Sequence, residues 1–251
     1  MKALGLPFDP LRRSIQVENL VMDSGRRKYY RFRPGEFYGG IVTADAIGCS
    51  FLCAYCWNYK RNLNPEQAGS FFSPEEVVNK LLALARRYRL GQIRISGAEP
   101  ILGEKSFTHL LEILGLLSRL APGHVFILET NGLLLGERRD FARELGGFKK
   151  LQVRVSLKAT DRDKFQLITG ALRDHFLKPI AALKHLKGYG VRCWPALAAR
   201  LFRPEEIRSL KSVLAAYSVG GQLELEELII YPFVEKNMRE RGLSLLSRES
   251  D

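Results

Sequence analysis

Cys49, Cys53 and Cys56 stand in the run Gly48-Cys49-Ser50-Phe51-Leu52-Cys53-Ala54-Tyr55-Cys56-Trp57-Asn58, a C-x3-C-x2-C spacing that crowds three of the chain's four cysteines into eight positions. Thiolates are soft anionic ligands, and three on one tight loop can turn inward onto a common inorganic centre. Several readings compete at this point. A 4Fe-4S cluster held by three cysteines leaves one iron with an open coordination position, which is a place for chemistry. Structural zinc takes four protein ligands. The other candidates for it, Cys193, His109, His124, His175 and His185, are all distant in sequence and would have to fold close. Three packed, inert thiols are the third reading. Four cysteines in 251 residues are too few for a disulfide scaffold, which fits metal use in a reducing compartment.

The elements that must position this loop are legible from their periodicity. Short β-rich runs at 40–48, 92–96, 125–130, 151–158, 191–197 and 222–231 alternate with helical segments, and the first run leads directly into the cysteines. Ser73-Pro74-Glu75-Glu76 supplies an N-cap, a proline in the first turn and a capping-box glutamate, opening a helix over 77–88. Further helices are expected over 107–120, 138–145, 179–187 and 204–217. Six strand–helix units imply an α/β fold, an open partial (β/α)6 barrel of TIM type, with the cysteine loop following its first strand and ligand-binding residues at the strands' carboxyl ends. In 151–158 the apolar side chains share one face, and Gln152, Arg154, Ser156 and Lys158 the other, which makes the lumen the polar side. A water-exposed sandwich strand would alternate in the same way. The length fits a single domain over 1–251, with its core at about 40–232, a basic amino-terminal extension over 1–39 and a carboxyl-terminal helix or tail over 233–251.

The cysteine loop resembles the signature of the radical S-adenosylmethionine (SAM) superfamily, C-x3-C-x-aromatic-C, with Tyr55 at the aromatic position. The resemblance implies a 4Fe-4S cluster on Cys49, Cys53 and Cys56, and SAM chelating the fourth iron. It implies reductive cleavage to methionine and a hydrogen-abstracting 5'-deoxyadenosyl radical, with the Tyr55 region against the adenine. Ser96-Gly97-Ala98-Glu99 is similar to the family's glycine-glycine-glutamate motif, whose backbone binds the methionyl amine. Ala98 replaces the second glycine, which a backbone contact survives if that residue need not adopt positive φ.

Glu129-Thr130-Asn131-Gly132 resembles the acidic-Thr-Asn-Gly segment of glycyl-radical activating enzymes, typified by that of pyruvate formate-lyase, and Asn58 keeps an asparagine many of them carry. Ser156-Leu157-Lys158 falls where that subgroup has Asp-Leu-Lys, so the resemblance gives Lys158 a part in holding the cofactor's carboxylate. In the subgroup the acidic residues at these two strand ends belong to a monovalent-cation site. Here Glu129 alone remains, and Arg154, on the same face as Ser156, is expected to supply the positive charge. A structural ion pair is the alternative for it. The resemblance covers roughly 40–232 and is weakest after Lys158.

Beyond that point Arg192 and Trp194 share a face, followed by Arg200 and Arg203, which suits an anionic or planar substrate, while Cys193 points to the helices as a packed thiol. The net charge of +12 favours anionic partners. The run from Arg26 to Pro34 mixes cations with aromatics, as single-stranded nucleic-acid surfaces do, and also alternates like an edge strand with packed tyrosines. The longest apolar runs are too short to span a bilayer. With no export signal at the amino terminus, a cytoplasmic protein without membrane contact is expected.

The expected activity is that of a radical SAM oxidoreductase of the activating-enzyme type, reduced by a one-electron donor such as flavodoxin or ferredoxin. It would abstract hydrogen from the glycine loop of a partner protein. The alternative is radical modification of RNA or another phosphate-containing substrate. A non-catalytic zinc or iron-sulfur module that holds nucleic acid is the reading from another class, and the strand-end motifs argue against it.

Overall fold

The computed structural model describes residues 5–245. One nine-stranded sheet runs through it in the order β1-β2-β3-β5-β6-β7-β8-β9, with β4 added to β2. Its strands are β1 (Met22–Asp23), β2 (Arg26–Gly35), β3 (Ile41–Ala46), β4 (Ser70–Phe72), β5 (Gln92–Ser96), β6 (Val125–Thr130), β7 (Leu151–Leu157), β8 (Arg192–Ala198) and β9 (Glu224–Glu226). The helices are α1 (Pro10–Val21), α2 (Tyr59–Leu63), α3 (Pro74–Tyr88), α4 (Glu104–Leu120), α5 (Leu133–Glu137), α6 (Arg139–Leu145), α7 (Arg162–Thr169), α8 (Lys178–Gly188), α9 (Pro204–Ala216) and α10 (Pro232–Glu240). From β3 to β9 the main-path strands are all parallel and lie side by side in chain order, joined by helical crossovers, and β9 ends the sheet. That is the partial, open barrel its alternation predicts.

Local signals account for the helices. The Ser73 hydroxyl accepts from the Glu76 N–H while the Glu76 carboxylate accepts from the Ser73 N–H, and Val77, Val78, Leu81, Leu82 and Ala85 form the buried face of α3. The helix expected over 138–145 is α6, which starts one residue later because Arg138 is extended, and α5 precedes it as a separate short helix. Inside α5, a Cβ on Gly136 would lie 1.9 Å from the Lys178 carbonyl, so glycine is what lets α5 and α8 approach this closely.

Four helices, α1, α2, α5 and α7, fall outside the sequence reading. In α7, Asp161 caps the amino end and Gly170, at φ 72, closes the carboxyl end, both visible signals. In α1, Asp9 caps and Pro10 opens the first turn, but the apolar stripe is only Val17 and Val21 among charged residues. The strand expected over 222–231 shrinks to Glu224–Glu226, because β8 ends at Ala198, the partner of Glu226, and nothing continues the ladder.

The run from Arg26 to Pro34 is a strand, but not an edge, since β2 pairs with both β3 and β4. Arg27, Lys28 and Tyr29 are buried, which removes them from any exposed basic-aromatic surface. No helix among the described residues is long and apolar enough to cross a membrane.

Candidate active site

The cysteine loop leaves β3 over Gly48, whose φ of +93 and close neighbours suit glycine alone: a Cβ there would sit 2.6 Å from Val17 Cγ1 on α1. The loop also leans on α7, with Leu52 and Ala54 N–H groups donating to Thr169 (3.0 Å) and Ile168 (2.9 Å) carbonyls. The Cys56 N–H turns back onto the Cys53 carbonyl at 2.9 Å. Donors approach the sulfurs: Phe51 N–H lies 3.4 Å and Asn131 Nδ2 3.8 Å from Cys49 Sγ, and Asn62 Nδ2 is 3.7 Å from Cys56 Sγ. Burial pushes the Cys49 thiol up to about 12 and those of Cys53 and Cys56 to about 11, so ligation at neutral pH must displace protons.

Every residue singled out for the cluster or SAM lines one cavity of about 300 Å³: Cys49, Cys53, Tyr55 and Cys56, then Ser96 to Glu99, Glu129 to Asn131, Arg154, Ser156 and Lys158. Larger hollows of about 360 and 620 Å³ lie elsewhere and contain no cysteine, so volume alone does not mark the chemistry.

Three loops around this cavity are stitched together by polar side chains. The buried Glu99 carboxylate accepts from Thr130 Oγ1 and Asn131 N–H, both at 2.7 Å, and from Ile101 N–H at 3.1 Å. Burial raises its pKa against those bonds. Asn131 Nδ2 donates to Ser50 Oγ at 2.9 Å, tying the β6 end to the cysteine loop. Asn58 Nδ2 donates to the Gly97 carbonyl at 2.7 Å, tying that loop to the β5 end. Gly97 is at φ +84, whereas Ala98 is absent from the positive-φ residues, so alanine fits there without strain.

The lumen pairs charges of opposite sign across its strands. Arg31 and Arg33 of β2 donate to Asp45 of β3 at 2.7 and 2.8 Å. Arg94 of β5 meets Glu129 of β6 at 2.6 Å, and Ser96 and Tyr38 hydroxyls donate to the same carboxylate at 2.7 and 2.8 Å. Arg154 of β7 meets Glu224 (2.9 Å) and Glu226 (2.6 Å) of β9, and Trp194 Nε1 donates to Glu224. The expected free cation at Arg154 is therefore a structural double ion pair, and the residue directly on Glu129 is Arg94. Sequence reasoning passed over Arg94, although the period-two face of β5 that carries Ser96 also carries it. Lys158 donates to Ser156 Oγ at 2.7 Å and forms no ion pair among the described residues.

Of the candidates beyond Lys158, Trp194 reaches the lumen through Glu224, whereas Arg192, Arg203 and Cys193 do not gather here. Arg192 is exposed at the amino end of β8, the Arg203 backbone caps α9 through Glu206, and Cys193 packs with its thiol 3.8 Å from the Leu183 carbonyl.

The donor set suits a cluster better than a single ion. Structural zinc takes four protein ligands, and neither a fourth cysteine nor a histidine stands among the described residues that line the cavity. Three thiols instead share the wall of a cavity with N–H donors aimed at two of them.

The sequence profile of the Radical SAM superfamily matches residues 46–198. A "Probable GTP 3',8-cyclase" of Methanocella arvoryzae is 34% identical over 136 residues, 53% of this chain and 39% of that protein. A "Putative glycyl-radical enzyme activating enzyme" of Methanocaldococcus jannaschii is 31% identical over 131 residues, 51% of this chain and 43% of that protein. The chain thus spans about two fifths of the length of these curated relatives. Among solved structures, a spore photoproduct lyase with bound AdoMet and a dinucleoside spore photoproduct superposes with a TM-score of 0.60 at 14% identity, over 96% of this chain and 72% of that one. At that identity the likeness is one of fold.

Proposed function

The chain belongs to the radical SAM superfamily, whose cofactors are a 4Fe-4S cluster and SAM, and from that premise we propose that Cys49, Cys53 and Cys56 hold the cluster and the neighbouring strand ends hold SAM. The observation that carries this is the shared cavity, in which the three thiols face the β5, β6 and β7 ends. When bound, the cluster would supply one-electron reduction, fed by an external one-electron donor, for the cleavage of SAM to methionine and a 5'-deoxyadenosyl radical.

The chain's own residues do the holding. Ser96 to Ala98 offer backbone groups to the methionyl amine, with Gly97 fixed by Asn58. Lys158, which forms no ion pair among the described residues, faces the cofactor's carboxylate. Tyr55, between two of the ligands, borders the adenine, and burial keeps its hydroxyl protonated. The Arg94–Glu129 and Arg154–Glu224/Glu226 groups set two guanidiniums against three carboxylates, so most of the charge on the lumen wall is compensated within the wall itself.

The substrate enters past the open edge at β9, and the reading we favour is a polypeptide segment. Exposed Phe37, Trp57 and Ile229 rim the same cavity, an apolar mouth that suits a peptide better than phosphates. A nucleotide is the second reading, favoured by the relative named as a GTP cyclase.

Anaerobic reconstitution with iron and sulfide tests the first step. The reduced chain should release 5'-deoxyadenosine from SAM, and alanine at any of the three cysteines should abolish this. Protein that binds zinc and never yields the nucleoside sinks the reading. For the substrate, GTP or RNA that accelerates cleavage, with binding that weakens steeply in salt, would favour the second reading. A glycyl radical signal raised in a partner protein would favour the first.

A further inference from the structure

Two arginines lie behind the cysteine loop, both 1% exposed and both outside the residues that match the family profile. Arg13, on α1, donates from Nε to the Cys49 carbonyl at 3.2 Å and from Nη2 to the Asn62 carbonyl at 2.6 Å, with its guanidinium over the Phe8 ring at 5.5 Å. Arg27, on β2, donates from Nη2 to the Glu99 carbonyl at 2.6 Å and the Ile47 carbonyl at 3.4 Å. Arg13 Nη1 and Arg27 Nε and Nη1 are buried without a hydrogen-bond partner, and neither guanidinium forms an ion pair among the described residues. The carboxylates that act on Arg27 from further away, Glu99 and Glu18, are engaged by Thr130, Asn131 and Ser106.

A buried cation persists in a fold when an opposite charge faces it, since desolvation otherwise makes it costly. Every other buried arginine of the lumen has its carboxylate: Arg94 has Glu129, and Arg154 has Glu224 and Glu226. Arg13 has the Cys49 and Asn62 carbonyls and Arg27 the Ile47 and Glu99 carbonyls, all flanking the cysteine loop, and neither has a carboxylate hydrogen-bonded to it among the described residues. Three thiolates bring negative charge to that loop, and each electron that enters from a donor adds one more.

Resting on the cluster reading above, we propose that Arg13 and Arg27 are the built-in counter-charges of the cluster, a buried cationic backing that raises its reduction potential. Net charge and hydrogen bonding around a cluster are what a protein uses to set that potential. No bond is made or broken in this role. The electron comes from the external donor, and the guanidiniums favour the more negative, reduced state by charge alone. They are positioning residues for the redox step and touch neither SAM nor substrate.

Two substitutions separate charge from scaffolding. Arg13→Gln can still donate to the Cys49 carbonyl but is neutral; Arg13→Lys keeps a charge and loses the two-pronged contact. In the reconstituted chain the midpoint potential is read by EPR-monitored titration, alongside iron content. The expected result for Arg13→Gln is full iron content with a midpoint shifted negative by a tenfold change in the reduction equilibrium, 59 mV for a one-electron couple. Arg13→Lys should stay near the wild-type value. Arg27→Gln, which leaves the Cys49 contact untouched, should shift in the same direction and carries the test if Arg13→Gln does not fold. Neutral variants that load iron fully and keep the wild-type midpoint overturn the proposal, as does an equal shift in the Lys and Gln variants. A wild-type chain that takes up no cluster overturns this proposal and the cluster reading together, whereas the preceding outcomes leave the cluster reading standing.

Discussion

Arg94 Nη1 lies 2.6 Å from Glu129 Oε1 across adjacent strands, with the two side chains 5% and 16% exposed. Burial alone would raise the Glu129 carboxyl; Arg94 first, then Arg154, outweigh that and hold it below the usual carboxylate range. Removing one partner of a buried pair leaves the other charge without compensation, at a cost of about 3–5 kcal/mol. Arg94→Met should therefore lower the unfolding free energy, measured by urea titration, by that order, and Glu129→Gln in the same background should recover part of it. Two losses that simply add would show that the pair does not interact.

The same pair bears on ion dependence. A guanidinium fixed on Glu129 occupies the place where a monovalent cation is otherwise expected beside a strand-end carboxylate, so SAM cleavage by the wild-type chain should be indifferent to potassium or sodium in a choline buffer. Arg94→Gln should make cleavage depend on added potassium. Wild-type activity that climbs with potassium would remove Arg94 from this role.

Glu99 acts through its carboxylate on the protein itself, joining the β5 end to Thr130 and Asn131. In Glu99→Gln one acceptor oxygen becomes an NH2 facing donors, and hydrogen bonds to charged groups are worth about 1.5–3 kcal/mol. SAM binding, measured by equilibrium dialysis on cluster-loaded protein, should weaken about tenfold or more with iron content unchanged. Loss of iron in step with SAM would place the defect in the cysteine loop instead.

Much of the site was legible because its determinants are local. The C-x3-C-x2-C spacing, the capping box at Ser73 and the period-two face of 151–158 each lie within a few residues. What escaped depends on partners distant in sequence. Arg154 looked like a free lumen cation because Glu224 and Glu226, about seventy residues on, sit in a run whose register with β8 no local pattern fixes. Arg27 looked like part of a basic surface because β4, which covers β2 on its other side, is three residues long and carries no signal of its own. The clamp of α1 on the loop was hidden for a similar reason: Gly48 reads as a turn glycine, and only the fold brings Val17 and Arg13 against it.

His109 gives the fold a pH dependence of its own. It is 2% exposed on α4, with Nδ1 2.9 Å from the Gly25 carbonyl and Nε2 3.1 Å from Tyr29 Oη. A carbonyl only accepts, so Nδ1 carries the proton and Nε2 accepts from the tyrosine. Burial disfavours the imidazolium and drops the group from 6.5 to about 4. The unfolded chain therefore binds this proton near pH 6.5 and the folded chain only near 4. The stabilisation is fully present above 6.5 and is lost as pH falls through that window, in all about 3 kcal/mol at about 1.4 kcal/mol per unit. The melting temperature should fall between pH 6.5 and 4. In His109→Gln, which keeps a polar group between Gly25 and Tyr29, the fall should be shallower, though the variant starts less stable at neutral pH. Parallel curves for the two proteins over that range would assign the acid sensitivity to other groups.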